Sequence, residues 1–214
     1  MRLRPLALVS TLLALAFVTG CDEDDHGDDH NHGNETEIIS RVELVFTPAG
    51  GSPVTFSFDD PDGEGGQSGV SDDITLSAST QYTLDISFFN ALEEPIEDIT
   101  EEVREEAEDH FVFVYGDAVA GPASTSSTAV ITHEYADLES DYAGNAVGDD
   151  LPVGLMNTLD VGAAGSGELT IMLRHLPELN GTAQKTGDLP AALAAGEALP
   201  GDVDANVTFA VTVE

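Results

Sequence analysis

Tryptophan is absent from this 214-residue chain, and cysteine and lysine each occur once. A lone cysteine, Cys21, excludes a disulfide framework and any zinc site built from several thiolates. With no tryptophan either, the Cys…Trp…Cys signature of a true immunoglobulin domain is impossible. Basic side chains are nearly as scarce: six Lys+Arg face 41 Asp+Glu, a formal charge of −35. Nucleic acid and anionic headgroups are poor partners for such a surface, because phosphate binding relies on Lys and Arg to displace counterions. No apolar run is long enough for a membrane helix. The longest, Leu6 to Val18, is about thirteen residues, against roughly 20 for a bilayer span. Catalytic signatures are also missing: no G-x-S-x-G elbow, no P-loop, and no G-x-G-x-x-G after a strand. The expectation is a protein that binds rather than catalyses. A carboxylate pair of a secreted hydrolase is the enzymatic alternative, since such a pair is identified by spatial separation and not by sequence.

What is present begins with a targeting segment. Arg2 and Arg4 precede the apolar run, which ends in Val18-Thr19-Gly20-Cys21: a basic n-region, a short h-region and small residues before a cleavage point. The last four residues resemble the lipobox of bacterial lipoproteins. That resemblance implies a signal peptide over residues 1–20, cleavage before Cys21, and acylation of Cys21 as the anchor in a lipid bilayer. Each buried CH₂ adds about 0.8 kcal/mol, so several acyl chains hold firmly where one binds reversibly. Asp22, Glu23, Asp24 and Asp25 follow directly, and this run resembles the acidic export signal of surface lipoproteins in the Bacteroidota. It implies an outer-membrane protein facing the medium. The rule for enteric bacteria, read from Asp22 alone, implies inner-membrane retention and a periplasm-facing protein instead.

Cleavage at that point removes two arginines and no acid, so the formal charge moves from −35 to −37. Such a charge opposes compaction in dilute salt. At 1 M salt the Debye length is about 3 Å and the repulsion is largely screened. Acid excess along the whole chain thus reads as adaptation to a salty medium. Residues 22–37 hold eight acids and no Lys or Arg, a composition too polar to fold alone and read as a flexible tether over 21–37. Salt adaptation accounts for its aspartates but not for His26, His30 and His32. Short His-rich tracts read as metal-binding, and imidazole flanked by carboxylates such as Asp29 suits Zn²⁺ and its neighbours. The alternative is a hydrophilic spacer.

From Ile38 the apolar residues alternate. Nine segments, 38–48, 53–60, 73–78, 82–91, 111–116, 127–137, 153–161, 167–177 and 205–214, carry period-two patterns rich in Val, Ile, Thr and Phe, bounded by Gly, Pro, Asp and Asn. They predict an all-β domain over 38–214, an antiparallel β-sandwich of about nine strands with one solvated face per sheet. One segment breaks the period. "PIEDITEEVREEAEDHF" (95–111) puts Ile96, Ile99, Val103, Ala107 and His110 on one face at 3.6 residues per turn. It predicts an acidic helix near 96–110, capped by Asp98 or Thr100.

On such a helix Glu106 and His110 stand at i, i+4. They could ligate a metal, or be a histidine stabilised by the helix C-terminus and a neighbouring glutamate. His133 and His175 fall in predicted strands, where an isolated histidine usually belongs to the core. "HEYAD" from His133 begins like H-E-x-x-H, but its fifth residue is Asp137 and the segment is a strand. A composite site of Glu106, His110 and His175 is conceivable. "DDPDGEGG" (59–66) places Asp60, Asp62 and Glu64 at alternate positions, as a Ca²⁺ loop can. The spacing is not that of an EF-hand, and Asp-Gly is also what a tight turn requires.

The whole chain resembles a group of small acidic bacterial lipoproteins. The shared features are the acidic, His-containing N-terminus, an Asp-Pro-Asp-Gly turn, an acidic helix ending in "EEAEDHF" and an "LRH" strand near the end. That group carries no assigned activity. Some members bear a type 1 periplasmic-binding label, which implies a two-lobed α/β fold at odds with alternating strands. The functional expectation is a surface-anchored binding module taking a divalent transition metal, Zn²⁺ first, for delivery to an outer-membrane transporter. The rival is a structural or adhesive domain whose ligand is a protein or glycan.

Overall fold

A computed structural model of the chain describes residues 38–63, 68–144 and 146–214. These belong to a compact unit spanning Gly33–Glu214. Cys21, the acidic run after it, His26, Asp29, His30, His32 and Glu64 lie outside the described residues.

Among the described residues thirteen strands are present, in chain order β1 (Arg41–Pro48), β2 (Val54–Asp59), β3 (Val70–Ser71), β4 (Ile74–Leu76), β5 (Gln81–Asn90), β6 (Glu97–Asp98), β7 (His110–Tyr115), β8 (Val119–Gly121), β9 (Ser124–Thr125), β10 (Ile131–Tyr135), β11 (Met156–Val161), β12 (Gly165–His175) and β13 (Asp202–Val213). Helix α1 (Ile99–Glu105) lies between β6 and β7, and α2 (Leu189–Ala194) between β12 and β13. Nine strands form one sheet, ordered β3-β2-β1-β5-β11-β10-β8-β9 with β6 also on β5; four form the other, β4-β13-β12-β7. The fold is an all-β sandwich. Each of the nine predicted segments coincides with all or most of one strand, β1, β2, β4, β5, β7, β10, β11, β12 or β13. The additional ones, β3, β6, β8 and β9, are two or three residues long, too short for alternation to register.

Alternation drives the packing. Val42, Leu44 and Phe46 of β1, Leu84, Ile86 and Phe88 of β5, and Phe209, Val211 and Val213 of β13 are all buried in one cluster between the sheets. Two pairings depart from the antiparallel expectation: β8 with β10 and β4 with β13 are parallel. Both β8 and β4 are three-residue strands at or near a sheet edge, where the chain returns by a loop instead of a hairpin. The expectation of one solvated face per sheet also fails locally. On the outer side of β7 and β12, Phe111, Phe113 and Met172 form a second cluster with Ala123, Leu176 and Leu189 of α2. β7 is therefore buried on both faces.

The acidic helix is shorter than its predicted 96–110. Glu97 and Asp98 pair with β5 as β6, and Asp98 caps α1 by accepting from the Thr100 backbone N–H at 3.0 Å. Ile96, placed on the apolar face by the periodicity, is exposed. At the other end the helix stops at Glu105, because His110–Tyr115 pair residue by residue with Thr170–His175 of β12. That ladder, with burial on both faces, outweighs two further helical turns on a solvated acidic segment. Ile99 and Val103 still enter the main core, and the Thr100 hydroxyl bridges Phe88 N–H (2.9 Å) and Phe88 C=O (3.1 Å). α1 is thus fastened to β5 beyond the stretch that β11 occupies.

Candidate metal centre

Where α1 hands over to β7, the chain turns through Glu106–Asp109. Glu106 is the helix C-cap, its N–H donating to Glu102 C=O. Its own carbonyl accepts twice, from Asp109 N–H at 2.9 Å and from His110 Nδ1 at 3.1 Å. A carbonyl only accepts, so His110 carries its proton on Nδ1 and leaves the Nε2 lone pair available. A backbone carbonyl fixing the tautomer of a histidine is the usual outer support of a metal ligand.

His110 and His175 are directly opposite in the β7–β12 register. Their rings stack with centroids 4.8 Å apart and planes 9° from parallel. Glu106, His110 and His175 each offer one ligand atom, and these atoms lie within 4.8 Å of one another. A tetrahedral ion with bonds of about 2.0–2.1 Å needs its donors about 3.4 Å apart. Coordination therefore requires the donors to draw together and the parallel rings to open. The i, i+4 helical geometry expected of Glu106 and His110 is not what joins them; a turn and a strand start do the same work.

Charge favours the ligand form. His110 is almost fully buried, and burial pushes its imidazole down to about 4, with His175 and Lys185 adding to the effect. At neutral pH it is an uncharged donor. Two carboxyls flank the pair. Burial raises Asp109, helped by Glu108 and opposed by His175. Burial also raises Asp204, to about 6, with His175 its strongest favourable charge.

The turn is held from behind by the chain's single lysine. Lys185 Nζ donates to Ala107 C=O at 2.7 Å and pairs with Glu139 Oε1 at 2.7 Å, the two side chains 1% and 2% exposed. The ammonium also sits 5.2 Å from the Phe111 ring centroid. Burial lowers Lys185, opposed first by its hydrogen bond to Glu139. Glu139 belongs to a 3-10 turn (Glu139–Asp141). Two residues earlier, Asp137 accepts from the N–H groups of Gly154, Leu155 and Met156 at 2.8 to 3.0 Å and from Tyr142 Oη at 2.9 Å. Sequence reading missed this polar cluster, although a unique lysine in so acidic a chain was a signal that it had a partner.

The other sequence candidates are placed elsewhere. His133 is buried, with Nε2 2.8 Å from Asn157 Oδ1. Asn157 uses its amide nitrogen on Gly154 C=O, so Oδ1 is the acceptor and Nε2 the donor. His133 Nδ1 is then a bare acceptor without a partner, 3.0 Å from where a Cβ on Gly121 would sit. It is a core histidine. Asp60 and Asp62 form a turn after β2, Asp62 N–H reaching Asp60 Oδ1 at 3.4 Å, while Gly63 takes a positive φ of 66°. Asp-Gly is used there as turn chemistry. A surface hollow of about 230 Å³ beside the start of β5 is lined by residues such as Thr47, Gln81 and Tyr82, without histidine or carboxylate.

No protein-family description, no curated protein and no solved structure matches the chain.

Proposed function

We propose that this chain is a surface lipoprotein, anchored through Cys21, whose β-sandwich captures a divalent transition metal at Glu106, His110 and His175 for transfer to an outer-membrane transporter. The observation that carries the reading is the opposed pair of histidines beside a glutamate, one of them buried, neutral and held by Glu106 C=O with its Nε2 free to bind. Two imidazoles and a carboxylate suit zinc and its neighbours in the first transition row better than Ca²⁺, which takes oxygen ligands. The tail histidines His26, His30 and His32, with Asp29, serve in this reading as a second, collecting site. No catalytic step is assigned.

Calorimetry with Zn²⁺ in high salt tests it, on the chain with and without replacement of the tail histidines by alanine. Heat of binding should persist without the tail histidines and vanish when His110→Ala and His175→Ala are added. Absence of heat from every form would sink the metal reading. The anchor is tested separately: palmitate incorporation in the producing cell should be abolished by Cys21→Ser, and unchanged labelling would refute it.

A further inference from the structure

The register between β12 and β13 slips once. Leu173 faces Ala205, but the next residue, Arg174, faces Val203, and His175 faces Asp202. Asp204 is the residue left over, the extra member of a β-bulge, and bulges re-aim side chains. Along β13 burial alternates strictly, with Ala205, Val207, Phe209, Val211 and Val213 inside and Asn206, Thr208, Ala210 and Thr212 outside. Continued backward, that alternation would put Asp204 outside and Val203 inside. The opposite occurs: Val203 is 43% exposed, while Asp204 is partly buried and its Oδ2 is fully buried with no hydrogen-bond partner.

A buried carboxylate oxygen left without a donor costs free energy, and proteins rarely tolerate one without a use for it. Asp204 follows Asp202, the register partner of His175, by two residues. Its carboxylate stands outside the group of Glu106, His110 and His175, whose ligand atoms lie within 4.8 Å of one another, so joining them takes a swing of its side chain, toward the His175 that is also the strongest favourable charge acting on it. The Arg174 guanidinium is committed elsewhere, donating to the carbonyls of Leu199, Pro200 and Gly201. The chemistry still missing at Oδ2 is a cation beside His175.

We infer that Asp204 is the fourth ligand of the metal centre, turned inward by the bulge to close Glu106, His110 and His175 into a set of two imidazoles and two carboxylates. This rests on the reading of that cluster as a metal site. Four donors complete the tetrahedral shell that zinc prefers in closed sites. The charges also balance: two carboxylates, two neutral imidazoles and one divalent ion sum to zero. With Glu106 alone the loaded centre would carry a net positive charge beside the buried His110. A closed, neutral, four-donor set suits a binding centre rather than a catalytic one, which keeps a position open for water.

The test uses the chain carrying His26→Ala, His30→Ala and His32→Ala, titrated with Zn²⁺ in competition with a chromophoric chelator. Asp204→Asn should weaken zinc binding by more than about 100-fold, beyond the 10–100-fold typical of a group acting only through another ligand. Asp202→Asn removes the same charge from the exposed residue opposite His175 and should change affinity by no more than about fivefold, the scale of a surface charge. Melting temperatures supply a second readout with opposite signs. In chelator, Asp204→Asn should melt higher than the parent, because an unpaired buried charge is gone; with saturating zinc it should melt lower. Parent binding with an Asp204→Asn loss below 100-fold would overturn the assignment of Asp204 while leaving the three-residue centre. Parent chain without zinc affinity would overturn both.

Discussion

Replacing Lys185 by methionine isolates the polar cluster that holds the Glu106–His110 turn. Methionine keeps most of the stem volume but removes the ammonium, leaving Glu139 buried without its cation and Ala107 C=O without its donor. Breaking a buried pair on one side costs about 3–5 kcal/mol. An independent bound agrees with that range. The folded variant can neutralise the stranded carboxyl by taking up a proton, and for a glutamate titrating near 4.3 in water that costs about 3.7 kcal/mol at pH 7. The lost carbonyl hydrogen bond adds about 1 kcal/mol. Against a domain stability of about 5–15 kcal/mol this is a large fraction. Adding Glu139→Leu to Lys185→Met should recover most of the loss, because both partners are then apolar. Urea unfolding in 1 M KCl, with midpoints compared at constant m value, reads both. A deficit under 1 kcal/mol at pH 7 would refute the reasoning.

Two further outcomes follow from the same structure. In metal-free protein His110 titrates near 4 when folded and near 6.5 when unfolded, so the unfolded chain takes up its proton first as pH falls; stability should drop by about 3 kcal/mol between pH 6.5 and 4. His110→Gln should remove that slope in urea unfolding with chelator present, and an unchanged slope would contradict it. For the chain's charge, raising KCl from 0.1 to 1 M shortens the Debye length from about 10 to 3 Å, so the melting temperature should climb steadily over that range. A flat response would mean that acid repulsion is not what opposes folding.

The fold was legible wherever a segment is long and one of its faces is buried. β1, β5 and β13 alternate over eight to twelve residues, and a period-two pattern of that length leaves little choice of structure. α1 was legible in position and cap, but its end was not. Residues 106–110 continue a helical pattern, and only the β7–β12 ladder, with a partner some sixty residues away, decides against it. α2 had local signals, with Asp188 and Pro190 at its start and Gly196 at a positive φ of 74° just past its end; short and alanine-rich, it shows no strong amphipathic stripe. The residues of the candidate site were nameable one by one, whereas their meeting depends on strand register, which sequence periodicity does not specify. Asp204 was invisible for a sharper reason: plain alternation from Ala205 assigns it to solvent, and a bulge inverts that assignment. Lys185 stood out only as a count of one.

The most direct measurement is a crystal structure of the zinc-loaded chain with anomalous diffraction collected across the zinc edge. A single strong peak is expected about 2.0–2.1 Å from His110 Nε2 and from a ring nitrogen of His175, with a Glu106 oxygen completing contact and the two rings opened from their parallel stack. Zinc confined to surface acids or the tail histidines, with His110 and His175 still stacked, would contradict the account.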